Sequence, residues 1–289
     1  MIRVISFFFV ALGVIACLAL WGVSETAVSK SDKIIDAHVH LGFDNKVQAA
    51  SGIMNSKEEF LKGARAAGVT GFVAHTHSDE SPTPDMPGLA PTYCVGVHDL
   101  VKLDVIEEGL RSGRYKCIKI YLGYTYKYPY DEAYKPLYTM AAQMKVPVVF
   151  HTGDTETKNG LVKYAHPLNV DEVAVEFPHT TFVMAHVGNP WFDSAAEVAY
   201  KNDNVYVDVS GILIGDLNRF HQDDFDKYLI KPINWVFGYV ENPEKLMFGT
   251  DWPLVNEKQY LNVVIQAIPS KYRRAFLHDN AAKVFHIKD

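Results

Sequence analysis

Read from its N-terminus, the chain repeats one pattern: a short apolar, β-branched run, then a polar or amphipathic stretch. Eight such runs occur: Ile34–His40, Thr70–His75, Thr92–His98, Cys117–Leu122, Pro147–His151, Thr181–His186, Val205–Ser210 and Leu246–Asp251. They are near-continuously apolar rather than alternating, as in parallel strands covered on both faces. Amphipathic segments between several of them predict helices. Lys57–Ala67 sets Phe60, Leu61, Ala64 and Ala67 at helical spacing, and Gly68 then stops the helix. Asp131–Lys145 carries Leu137, Met140, Ala141 and Met144 on one side, and Asn169–Glu176 and Ser194–Lys201 read similarly. Eight β–α alternations in this length predict a closed (β/α)8, or TIM, barrel over residues 31–289 rather than an open doubly wound sheet. No G-x-G-x-x-G follows the first strand, which speaks against a dinucleotide-binding sheet.

The first 30 residues stand outside this pattern. Val4–Val23 holds no charged side chain, and Arg3 is the only charge before it. That is the layout of an export signal. The run exceeds the ~7–15 residues of a usual signal core and reaches the ~18–20 that span a bilayer. Cleavage after Ser24, lipidation of Cys17 behind Val14-Ile15-Ala16, and retention as an uncleaved anchor all remain open, although the apolar run continues past Cys17. With Arg3 on the cytoplasmic side, the barrel is expected to be exported, touching a membrane only through this segment.

A cut after Ser24 removes only Arg3, so 28 − 1 = 27 basic side chains remain against 34 acidic, a net of −7. No basic run occurs, so nucleic acid is not expected as a partner. Cys94 and Cys117 are the only cysteines beyond Cys17. An oxidising compartment would allow one disulfide, but each lies in an apolar run and reads as a small buried hydrophobe.

The chemistry sits at the ends of the runs. His38 and His40, His75, His98, His151, His186 and Asp251 each close a predicted strand. In a barrel these ends converge on the face where active sites of this fold lie. His38 and His40 are two apart and can point the same way from one strand, as two ligands of one metal would. His151 falls on the fifth run, His186 on the sixth and Asp251 on the eighth. A carboxylate beside a metal can both ligate it and accept a proton from water. Singly, each has a plainer reading: a buried histidine bonded to backbone, or an aspartate capping the next helix.

The ordered segments Asp36-Ala37-His38-Val39-His40, His151-Thr152-Gly153, Ala185-His186-Val187-Gly188, Gly249-Thr250-Asp251-Trp252-Pro253 and Asn280–Phe285 resemble the amidohydrolase superfamily. The resemblance is to its amidohydrolase-2 branch, which includes aminocarboxymuconate-semialdehyde decarboxylase and various lactone and amide hydrolases. It spans Ile35 to Phe285. It implies His38, His40, His151 and Asp251 as ligands of one divalent ion. His186 would then polarise the substrate or move protons. Lys119 stands where two-metal members carry a carboxylated, bridging lysine. One ion is favoured, with Lys119 orienting a substrate carboxylate or balancing Asp251. Zinc is the expected ion from histidine-rich ligation, although manganese and iron bind similar sets.

His75, His77 and His98, and also Tyr121 and Trp252, are candidates to line a substrate pocket. The run of tyrosines from Tyr121 to Tyr130 could wall it, or pack on neighbouring loops or a second copy of the chain. The expected function is metal-dependent hydrolysis of an ester, lactone or amide bond in a small substrate. A non-oxidative decarboxylase on the same scaffold is the alternative, and a non-catalytic exported binding protein a third. The chain contains no G-x-S-x-G, so a serine hydrolase is not indicated.

Overall fold

The computed structural model describes residues 33–78, 81–98 and 102–288. The N-terminal apolar run lies outside them. Among the described residues no helix is long and apolar enough to cross a membrane.

Eight parallel strands follow one another around a barrel in chain order. They are β1 (Ile34–Val39), β2 (Val69–His75), β3 (Ala90–Val97), β4 (Cys117–Ile120), β5 (Val148–Phe150), β6 (Phe182–Met184), β7 (Val205–Asp208) and β8 (Leu246–Met247). Closure comes from hydrogen bonds between β1 and the chain at and beyond β8. Ala37 N donates to Phe248 O at 2.9 Å, Asp251 N to His38 O at 2.8 Å, and His40 N to Trp252 O at 2.8 Å. The buried Asp36 carboxylate reinforces this seam by accepting from Thr250 N at 2.9 Å and from its hydroxyl at 2.6 Å. Burial raises the Asp36 pKa to about 7 despite those bonds.

All eight predicted strands are present, each within a few residues of its expected bounds. The helices are α1 (Lys57–Ala67), α2 (Leu103–Arg111), α3 (Lys135–Met144), α4 (Asn169–Glu176), α5 (Phe192–Lys201), α6 (Gln222–Phe225), α7 (Lys231–Tyr239), α8 (Glu257–Val264) and α9 (Asn280–Phe285). α1 shows why local sequence suffices there. Ser56 caps it by accepting from Glu59 N, and Gly68 ends it at φ 80°. The alternation is incomplete, however. β2 passes to β3 through residues 76–89 with no helix among the described residues. That stretch carries three prolines and a glycine, too many for a helix interior.

Two apolar layers hold the barrel. One lies between strands and helices; the other fills the lower interior with Ile35, Val73, Cys94, Cys117, Val149, Val183 and Met247. α9 plugs that end with Ala281, Val284 and Phe285. Here one expectation is corrected. Cys94 and Cys117 are buried, as expected, but bonded to each other, because the β3–β4 register sets them directly opposite. Sequence spacing alone could not reveal that register. In the next inward layer towards the mouth, Gly96 lies opposite Lys119.

Candidate metal centre and its cavity

The mouth of the barrel gathers histidines and acids from six strands. The β1–β2 register shifts between Asp36 and Val39, so Ala37 faces the lower core while His38 and His40 both reach the mouth. His38 Nε2 stands 3.6 Å and His40 Nε2 3.3 Å from the same oxygen, Asp251 Oδ1. These three residues form a cluster compact enough to hold one ion.

Their outer hydrogen bonds fix which nitrogen is available. His38 Nδ1 lies 3.0 Å from Asp208 Oδ2 and His40 Nδ1 3.0 Å from His75 O. Both partners can only accept, so each Nδ1 carries the proton and each Nε2 presents its lone pair inward. His38 Nε2 and Asp251 Oδ1 are buried without a hydrogen-bond partner. Buried orphaned acceptors are costly unless something satisfies them. A divalent cation would, so the donor set fits one. Burial, then the Lys119 charge, pushes His38 well below its ordinary pKa, so it stays neutral and ready to ligate. Burial opposes ionisation of Asp251, but the imidazoles of His186, His40 and His38 outweigh it and hold the carboxyl ionised.

Asp251 Oδ2 faces the other way, 3.9 Å from His186 Nδ1. That nitrogen also meets Ser210 O at 3.2 Å and Ser210 Oγ at 2.9 Å. Ser210 Oγ in turn donates to Asp208 Oδ1. His186 therefore carries its proton on Nδ1 and leaves Nε2 basic. His186 and Asp251 have left-handed backbones, φ 61° and 71°. Such conformations cost roughly 1–3 kcal/mol in non-glycine residues and concentrate at functional sites.

Asp208, at the end of β7, escaped the sequence reading. It orients His38, accepts from His186 N at 3.2 Å and holds Ser210. The signal was present, since Asp208 ends an apolar run as Asp251 does.

The other sequence candidates separate. His151 stands outside the compact cluster: its ring lies 4.9 Å from that of His186, and Nε2 donates to Asp154 O at 2.7 Å. Its remaining lone pair is on Nδ1. Lys119 is wholly buried with no partner for Nζ, and burial lowers its pKa to about 8 against the pull of Asp208 and Asp251. His98, His77 and Tyr121 line the cavity. His75 and Trp252 do not, which corrects the expectation for both. His75 is buried behind His38, its Nε2 bonded to Ala37 O at 3.2 Å. Trp252 packs against Phe60 and Phe43 outside the barrel.

The cavity has a volume of about 410 Å³. Asp251, His40, His151 and His186 form its base, Tyr121, Tyr124, His77 and His98 one wall, and Ile212, Ile214, Pro253 and Leu254 the other. Tyr121 and Tyr124 come from the tyrosine-rich loop, whereas Tyr126 and Tyr128 pack on Tyr164.

The amidohydrolase family model matches residues 35–287, nearly the whole described chain. The chain belongs to the amidohydrolase family. No curated protein matches its sequence. Among solved structures, this amidohydrolase is similar to a 5-carboxyvanillate decarboxylase from Sphingomonas paucimobilis, with 11% identity, TM-score 0.63, and 89% and 100% of the two chains covered. A probable 2-pyrone-4,6-dicarboxylic acid hydrolase from Acinetobacter baumannii gives 14%, 0.57, 88% and 99%. An amidohydrolase from Burkholderia multivorans with bound zinc gives 14%, 0.61, 89% and 100%. At these identities the likeness is one of fold.

Proposed function

We propose that this amidohydrolase is a metal-dependent hydrolase of an ester, lactone or amide bond. The observation that carries the reading is the two-sided Asp251: Oδ1 turns to His38 and His40, while Oδ2 turns to His186. His38, His40 and Asp251 would hold one ion, with His151 joining through Nδ1. Zinc is our choice of ion, because neutral histidines with one carboxylate and an open position suit it. Such an ion polarises a carbonyl and lowers the pKa of water to about 7. Asp251 would take up the proton that such a water gives up, and His186 Nε2, unprotonated at rest, would accept that proton and pass it to the leaving group. Ser210 and Asp208 hold the His186 ring so that the basic nitrogen faces the cavity.

A decarboxylase would need a group to hold the departing carboxylate. Lys119 is a candidate for that role, yet it is wholly buried and is not part of the cavity lining. We further propose export. The uncharged run after Arg3 supports it, and so does the Cys94–Cys117 disulfide, since such bonds persist in oxidising compartments.

The test is metal per chain by elemental analysis, with product analysis on ester, lactone and amide panels. About one ion, lost in His38→Ala and Asp251→Ala, is expected, together with uptake of water into a new acid. Full metal retention in both variants would overturn the ligand assignment. Release of carbon dioxide from an acid substrate would favour decarboxylation.

A further inference from the structure

The cavity above Asp251 has walls of two kinds. Tyr121 stacks on His98 with ring centres 4.7 Å apart and 12° between planes, and on His77 at 5.9 Å and 21°. The opposite wall is aliphatic. Such a space suits an apolar or aromatic body.

Its rim carries charge of one sign. Asp154 and Glu156 belong to the segment after β5 that lines the cavity. That segment is pinned at both residues. Asp154 O accepts from His151 Nε2 at 2.7 Å, and Glu156 N donates to Tyr124 Oη at 2.9 Å. The backbone of this segment is therefore tied at Asp154 to the floor and at Glu156 to Tyr124, and both residues line the same cavity.

No lysine or arginine lines the cavity among the described residues. An anionic group reaching this rim would meet two carboxylates and no lysine or arginine of the lining. A cationic group would gain from both.

We propose, relying on the hydrolytic reading only for where the reacting bond lies, that the cavity selects substrates with an apolar or aromatic body whose far end is an amine, carried as ammonium, and rejects those with an acidic far end. Asp154 and Glu156 are the specificity-determining residues. The base holds the acyl group beside Asp251, the walls hold the body, and the rim reads the head.

The experiment is calorimetric binding to the zinc-loaded full chain at pH 7.5 of three probes with one shape: 2-phenylethylamine, 2-phenylethanol and 2-phenylethanesulfonate. Wild type is compared with the double variant Asp154→Asn, Glu156→Gln, with metal per chain measured in each. The amine should bind about tenfold tighter than the alcohol, as a nearby carboxylate in partly screened surroundings provides, and the sulfonate weakest. The double variant should remove most of the amine's advantage, change the alcohol by less than twofold and keep its metal. An amine no tighter than the alcohol would overturn the proposal. So would an advantage that survives in the double variant, because coordination of the amine to the ion would then explain it. Absent ester turnover with this affinity order intact would instead count against the hydrolytic reading alone.

Discussion

Glu257 is the first residue of α8, is 2% exposed, and has no hydrogen-bond partner for Oε1. It packs against the backbone of α1 where Gly63 leaves room: a Cβ there would stand 2.2 Å from Glu257 Oε2. Burial first, then Asp36 and Glu59, raise its pKa from 4.5 to about 8, only partly opposed by its own backbone N–H. The folded protein thus keeps a proton that the unfolded chain releases above pH 4.5. Stability from this residue is complete below pH 4.5, falls across the interval, and is lost once pH passes about 8. At ~1.4 kcal/mol per pH unit, raising the pH from 6 to 8 removes close to 3 kcal/mol as an upper bound. Glu257→Gln has nothing to titrate and should not show this loss. Thermal melts of both proteins across pH 5–9.5 are the assay. The Tm difference should move in favour of the variant by roughly 5–10 °C between pH 6 and 8, and then level off. The shared histidines and Asp36 contribute nearly equally to both proteins and cancel. A Tm difference that stays constant across this range would refute the argument and require a water or partner that already satisfies the carboxylate.

Gly63→Ala should destabilise by about 1–3 kcal/mol, through overpacking against Glu257, and Glu257→Ala should relieve much of that loss; urea denaturation checks both. Asp208→Asn removes the carboxylate that holds the His38 ring, and metal affinity measured by chelator competition should fall about 10–100-fold with the barrel intact. His186→Ala should retain its metal and lose most turnover; unimpaired turnover would remove His186 from the mechanism. Ser56→Ala should cost about 1 kcal/mol in urea denaturation through the lost α1 cap, with metal content unchanged.

The sequence by itself determined the eight strands, their order and the end of the barrel at which chemistry gathers. Each strand is an apolar run of a few residues, and burial of such a run is a local property of composition. Helix α1 was legible to the residue, because its cap, its apolar spacing and its glycine stop all lie within a dozen positions. His38, His40, His186 and Asp251 were legible as candidates because polar residues recur at the ends of so many of the apolar runs, which a barrel brings to one face. What a side chain does after its strand ends was decided by tertiary structure. His75 and His77 end the same run, yet one lies behind His38 and the other in the cavity wall. Trp252 follows Asp251 directly, but the left-handed backbone at Asp251 turns the two apart. The Cys94–Cys117 bond depends on the β3–β4 register, which local sequence does not encode across a separation of 23 residues. Asp208 becomes important only through the distant His38 and His186 that it orients. The sequence marked the residues suited to chemistry; only packing across strands chose which of them face one another.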